Sequence, residues 1–136
     1  VPYDAYVESI FHAERGSLWD KQTGWICPKD KNFHTDISIL KALQGKYPVH
    51  VEKETKSVFK GNKNLITLLQ ERGIKEVHIV GYDTNDCVLA TAYEAFDLGF
   101  FTYVIDGCVE SSSTKALHKN ALALLRHLNL TKKSII

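Results

Sequence analysis

From Thr35 onward the chain alternates between two hydrophobic periods, and this alternation constrains its fold more than any other feature. Strand-like apolar runs fall at 47–51, 77–80, 100–105 and 131–136. Between them lie stretches in which apolar residues return every three or four positions, the period of an amphipathic helix. Thr35 or Asp36 caps a first short helix bearing Ile37, Ile39, Leu40 and Leu43, ended by Gly45. Leu65, Leu68 and Leu69 mark a second helix that stops at Gly73. Val88, Ala92, Ala95 and Phe96 mark a third, ended by Gly99. A fourth, capped by the serines at 111–113, carries Leu117, Ala121, Leu124, Leu125 and Leu128. Strands alternating with helices are the pattern of an α/β fold whose parallel sheet is joined by crossover helices.

The first 34 residues lack such periodicity. Glycine, proline and charge are scattered there among Tyr3, Tyr6, Phe11, Trp19, Trp25 and Phe33, a mixture that predicts an ordered but irregular pocket or interface segment with a short helix over 3–12. The expected organisation is one domain over 1–136, with 1–34 as that segment and 35–136 as the α/β core.

Composition excludes several function classes. Seventeen basic against sixteen acidic residues leave a net charge of +1, which argues against a general electrostatic binder of nucleic acid. No apolar run reaches the roughly 18 residues of a membrane span. Three cysteines without a CxxC pair argue against a disulfide scaffold or a zinc ribbon. The expected partner is therefore a small molecule, in the cytoplasm. The chain also contains no methionine and opens on Val1-Pro2-Tyr3, so it is expected to start after the natural beginning of its protein.

In open α/β sheets, ligands bind beyond the carboxyl ends of the strands. The strand at 77–80 runs there into Gly81-Tyr82-Asp83-Thr84-Asn85-Asp86-Cys87-Val88. Gly81 permits a sharp turn, and Thr84 or Asn85 suits a helix N-cap, which places Cys87 in the first helical turn. Helix N-terminal N–H groups favour a thiolate and can receive the oxyanion of a tetrahedral intermediate. Lys53, at the end of the preceding strand, supplies a cation. Spacing alone leaves two readings of Cys87 open, a nucleophile or a small buried hydrophobe. Cys27 and Cys108 lack this context and read as ordinary packing residues.

The block from Gly81 to Val88, followed by Ala90-Thr91-Ala92 and Ala95-Phe96-Asp97-Leu98-Gly99, resembles the isochorismatase-like cysteine hydrolases. Lys53-Glu54-Thr55-Lys56-Ser57-Val58-Phe59 is similar to that family's lysine motif, and Asp106-Gly107-Cys108-Val109-Glu110-Ser111 to its strand-end segment. The resemblance covers about 35–136. It implies a three-layer α/β/α, Rossmann-like fold with a mostly parallel sheet, and a Cys–Lys–Asp triad. Cys87 matches the nucleophile and Lys53 the lysine, with Lys56 a weaker candidate for that role. The backbone N–H groups of Asp83 and Cys87 match the oxyanion hole, and the Tyr82–Asp83 peptide bond corresponds to one that is cis in the family. Tyr82 and Asp86 flank the nucleophile as candidate substrate contacts, and Trp19 and Trp25 as candidate pocket lining.

The family's aspartate follows an early strand and begins an Asp-x-Gln sequence. None of Asp4, Asp20, Asp30 or Asp36 matches it, and the strand–helix–strand that carries it is expected to lie upstream of Val1. Some amidases of this family bind a metal through Asp-x-His-x-x-x-His, a pattern absent here. No metal and no cofactor is expected, although His12 and His34 could approach each other. His118 and His127 read as surface or interface. The resemblance implies cleavage of a C–N bond in a small amide, imide or ureido compound through a thioester on Cys87, and a homo-oligomer. The alternative is a non-catalytic binding or scaffold protein of the same fold. A nucleotide-binding domain ranks last, because Gly81 alone is a poor phosphate cradle.

Overall fold

The computed structural model describes residues 3–30 and 35–135. Their contacts group into two compact units, Tyr3–Thr55 and the chain from Lys56 onward.

The Tyr3–Thr55 unit contains β1 (Val7–Phe11), α1 (Leu18–Thr23), α2 (Ile37–Leu43) and β2 (Val49–Lys53). β1 and β2 pair in parallel, in register from Val7↔Val49 to Phe11↔Lys53. A strand thus stands where the sequence predicts a helix over 3–12. The reason is Glu8, which takes an inward position that is normally apolar and so hides the alternation. Its side chain is buried and satisfied there: one carboxylate oxygen accepts from the Thr35 hydroxyl, and the other lies 2.8 Å from His50 Nδ1. Burying a carboxylate without such partners would be costly.

The described residues of segment 1–34 are also less irregular than expected. Ser17 caps α1 by accepting from the Asp20 N–H at 3.3 Å. α2 forms as its pattern predicts, its first turn held by Asp36, which accepts from the Ser38 N–H at 2.8 Å. Hydrogen bonds from the Ser38 hydroxyl and backbone hold that carboxyl below its ordinary value of 3.8.

The second unit runs α3 (Lys63–Glu71), β3 (Glu76–Tyr82), a π-helical turn (Thr84–Val88), α4 (Leu89–Asp97), β4 (Phe101–Glu110), α5 (Lys115–His127) and β5 (Thr131–Lys132). Its sheet has the order β3-β4-β5, with both pairings parallel. α4 and α5 are the crossovers, as the alternation predicts. The core beneath them joins Val88, Ala92, Val104, Val109, Leu122, Leu125 and Leu130. Fully burying a leucine stabilises a fold by roughly 1.5–3 kcal/mol. α5 is rotated from the expected face: Leu122 is buried, whereas Leu117, Leu124 and Leu128 are exposed. Its cap is Thr114, whose hydroxyl accepts from the Leu117 N–H at 3.1 Å, and not one of the serines.

β4 runs well past Ile105, where the sequence predicts its end. β3 and β4 keep register from Glu76↔Phe101 to Ile79↔Val104, lose it, and resume it at Gly81↔Val109 and Tyr82↔Glu110. β4 therefore accommodates Ile105, Asp106, Gly107 and Cys108 where β3 has Val80 alone. The extra residues bulge out of the ladder, and the two strands end side by side.

Candidate active site

The chain leaves β3 through Gly81, whose φ of 122° lies in a region that L side chains rarely adopt. The next bond but one, Tyr82–Asp83, is cis, at the position where the family resemblance implies a cis bond. Asp83 then opens the π-helical turn, its carbonyl accepting from the Asp86 N–H at 3.0 Å and the Val88 N–H at 3.2 Å. Cys87 sits half-buried in this turn, immediately before α4, and not in the first turn of the α-helix itself. Short π-helical insertions of this kind occur frequently at functional sites.

Five polar contacts hold the turn. The Asp83 carboxylate accepts from the Ser112 backbone N–H at 2.7 Å and from its hydroxyl at 2.9 Å. The Asn85 side-chain oxygen accepts from the Ser111 hydroxyl at 2.7 Å. Thr84, fully buried, has its hydroxyl 2.7 Å from His118 Nδ1. Asp86 is paired with Lys56 at 2.7 Å, and the Lys56 side chain is only 11% exposed.

Two sequence expectations change here. Thr84 and Asn85 do not cap a helix: Thr84 ties the turn to α5 and Asn85 ties it to the β4–α5 connection. His118 is no plain surface residue, because its ring is directed at Thr84. The sequence does not place Ser111, Ser112 and His118 against the turn that carries Cys87. The aligned strand ends bring them there, and no local pattern announces that alignment.

Tyr82 is 69% exposed and directly precedes the turn. Asp83, Asp86 and Cys87 thus lie together on one turn with Tyr82 beside them.

Lys53 belongs to the other unit, where it is the last residue of β2. Its ammonium donates to the Thr55 carbonyl at 3.1 Å and stands 5.4 Å from the centre of the Phe11 ring. Phe11 packs edge-on against Trp19 at 5.8 Å, and Trp19 lies 5.4 Å from Trp25. The result is a row of aromatic rings beside the lysine. Cys27 lies in the same unit, its thiol 3.4 Å from the Phe11 carbonyl. Cys108 is exposed on the bulged part of β4.

Among the described residues no group of three or more His, Cys, Asp or Glu side chains is placed to hold a metal ion. His34, the expected neighbour of His12, lies outside the described residues. No helix among them is long and apolar enough to cross a membrane.

Comparison with known proteins agrees with this architecture. Residues 5–132 match the isochorismatase domain, and the chain belongs to that family. Among solved structures, an isochorismatase-like hydrolase from Alkaliphilus metalliredigens superposes with a TM-score of 0.76 at 21% identity, covering 93% of this chain and 68% of that one. The nicotinamidase PncA from Bacillus subtilis superposes with a TM-score of 0.73 at 26% identity, covering 92% of this chain and 71% of that one. In sequence, Nicotinamidase 3 from Arabidopsis thaliana is 41% identical over 69 residues, a stretch that takes in 48% of this chain and 34% of that protein. The chain thus spans about a third of the curated relative it matches.

Proposed function

We propose that this chain is a single cysteine hydrolase domain that cleaves a C–N bond in a small amide, imide or ureido compound. The observation that supports the reading best is the placement of Cys87 on the turn leaving β3, in a chain whose family match spans 5–132 and whose relatives include nicotinamidases. In this mechanism the Cys87 thiolate attacks the substrate carbonyl carbon. The carbonyl oxygen becomes an oxyanion received by the backbone N–H groups of Asp83 and Cys87. Collapse breaks the C–N bond, the nitrogen takes up a proton from solvent and departs, and a thioester to Cys87 remains. Water then attacks the thioester and releases the acid and the thiol. Lys53 contributes the cation that favours the thiolate. Tyr82 and Asp86, beside Cys87, are the candidate substrate contacts. No described aspartate is assigned the part of the triad acid.

The test is ammonia release from nicotinamide, a cyclic imide and a carbamoyl amino acid by the purified protein. Release that Cys87→Ala removes supports the reading. Binding of any of these compounds without turnover by the wild-type protein would favour the non-catalytic alternative.

A further inference from the structure

We infer that Ser111 and Ser112, with His118, are positioning residues that form a clasp on the Cys87 turn; the inference rests on the cysteine hydrolase reading for its catalytic consequence. Three consecutive residues of the turn, Asp83, Thr84 and Asn85, each bond to a different residue of the β4–α5 connection or of α5 itself. These bonds are not by-products of capping α5, because Thr114 already does that. The Ser111 hydroxyl is also oriented. It accepts from the Ser113 N–H at 3.1 Å, which leaves its own proton directed at Asn85 Oδ1.

Asp83 takes two bonds from Ser112 through its carboxylate, while the proposed mechanism assigns its backbone N–H to the oxyanion. A group that fixes the side chain of Asp83 therefore fixes the direction of that N–H. Hydrogen bonds to a carboxylate are stronger than those between neutral groups, so this arm dominates the clasp. The side-by-side ending of β3 and β4 at Tyr82↔Glu110 brings the two partners together. None of the three residues needs to touch substrate; each acts on the placement of the turn.

The experiment compares Ser112→Ala, Ser112→Thr and Ser111→Ala with the wild-type protein by two readouts. One is kcat and KM for nicotinamide hydrolysis. The other is the rate of iodoacetamide labelling at Cys87, with exposed Cys108 as internal control. Ser112→Ala removes the hydroxyl bond and keeps the backbone one, so it is expected to lower kcat by up to about tenfold with KM within about twofold, since small misplacements of reacting groups slow the chemical step. Ser111→Ala is expected to have a smaller effect in the same direction. Ser112→Thr, which keeps the hydroxyl, is expected to restore most of the rate. Cys87 labelling is expected to slow severalfold in Ser112→Ala while Cys108 labelling stays constant. Unchanged Cys87 labelling in both alanine variants would overturn the clasp, as would a rise in KM with kcat intact. Should the wild-type protein hydrolyse no amide, the hydrolase reading fails, and the labelling comparison still decides the clasp. If Ser112→Ala does not fold, Ser111→Ala carries the same test.

Discussion

The turn that carries Cys87 and the strand end that carries Lys53 are built in opposite ways. Around Cys87, polar side chains do the holding: Asp83, Thr84, Asn85 and Asp86 each have a named partner from a distant stretch of chain. Beside Lys53 stand the Thr55 carbonyl and the Phe11 ring, from which Trp19 and then Trp25 continue a row of rings. Directional hydrogen bonds hold a group at a fixed angle, whereas ring packing shapes a surface and excludes water. Under the proposed function, the difference suits a division of labour in which the first region aims Cys87 and the second holds the Lys53 cation.

The largest expected effect that tests this division is at Cys87. Cys87→Ala should lower kcat for amide hydrolysis by at least about 10⁴-fold, while Cys27→Ala and Cys108→Ala leave it nearly unchanged. Comparable losses at Cys108 would move the nucleophile to the bulge of β4.

The lysines come next. Lys53→Ala should cost about 10²-fold in kcat, and Lys56→Ala clearly less, because Lys56 already serves Asp86. The reverse order in steady-state kinetics would hand the cationic role to Lys56.

On stability, Leu125→Ala in the core of the Cys87 unit should cost about 2–5 kcal/mol in urea denaturation. Leu125 is 0% exposed, whereas Trp25 is 44% exposed, so Trp25→Ala should cost less. Equal costs would mean that the aromatic row is a true core.

The smallest effect concerns Glu76 at the start of β3. Hydrogen bonds from His78 and then Lys132 hold its carboxyl below the ordinary value of 4.5. A depressed carboxyl contributes stability fully above the unfolded value, and that contribution fades as pH falls through the folded one. Glu76→Gln should therefore flatten the acid side of the stability curve slightly below pH 4.5 and leave Cys87 labelling at neutral pH untouched.

Legibility in the sequence follows the same contrast. The cysteine block is contiguous, so its placement after a strand and before a helix could be read from Gly81 and the apolar face of α4. The cap Asp36 was visible for a similar reason, since it is a polar residue directly before an apolar stripe. The N-terminal strand was not visible, because Glu8 occupies an inward position and its compensation comes from His50 and Thr35, far along the chain. The end of β4 was misread because Asp106-Gly107 has the composition of a turn, and pairing with β3 outweighs it. The π-helical turn leaves no trace in periodicity, which cannot resolve five residues against an adjoining helix. The partners of Thr84 and Asp83 lie in another crossover, so only the folded sheet discloses them.

The bulge in β4 has a consequence for how this architecture can vary. Register resumes after it, so the strand ends at Tyr82 and Glu110 are aligned independently of what Asp106, Gly107 and Cys108 contribute. Gly107 and Cys108 act as slack in a tether, while Asp106 is pinned to Arg126 of α5 at 2.6 Å. A change in the length of that slack is expected to leave the anchor points at Tyr82 and Glu110 in place.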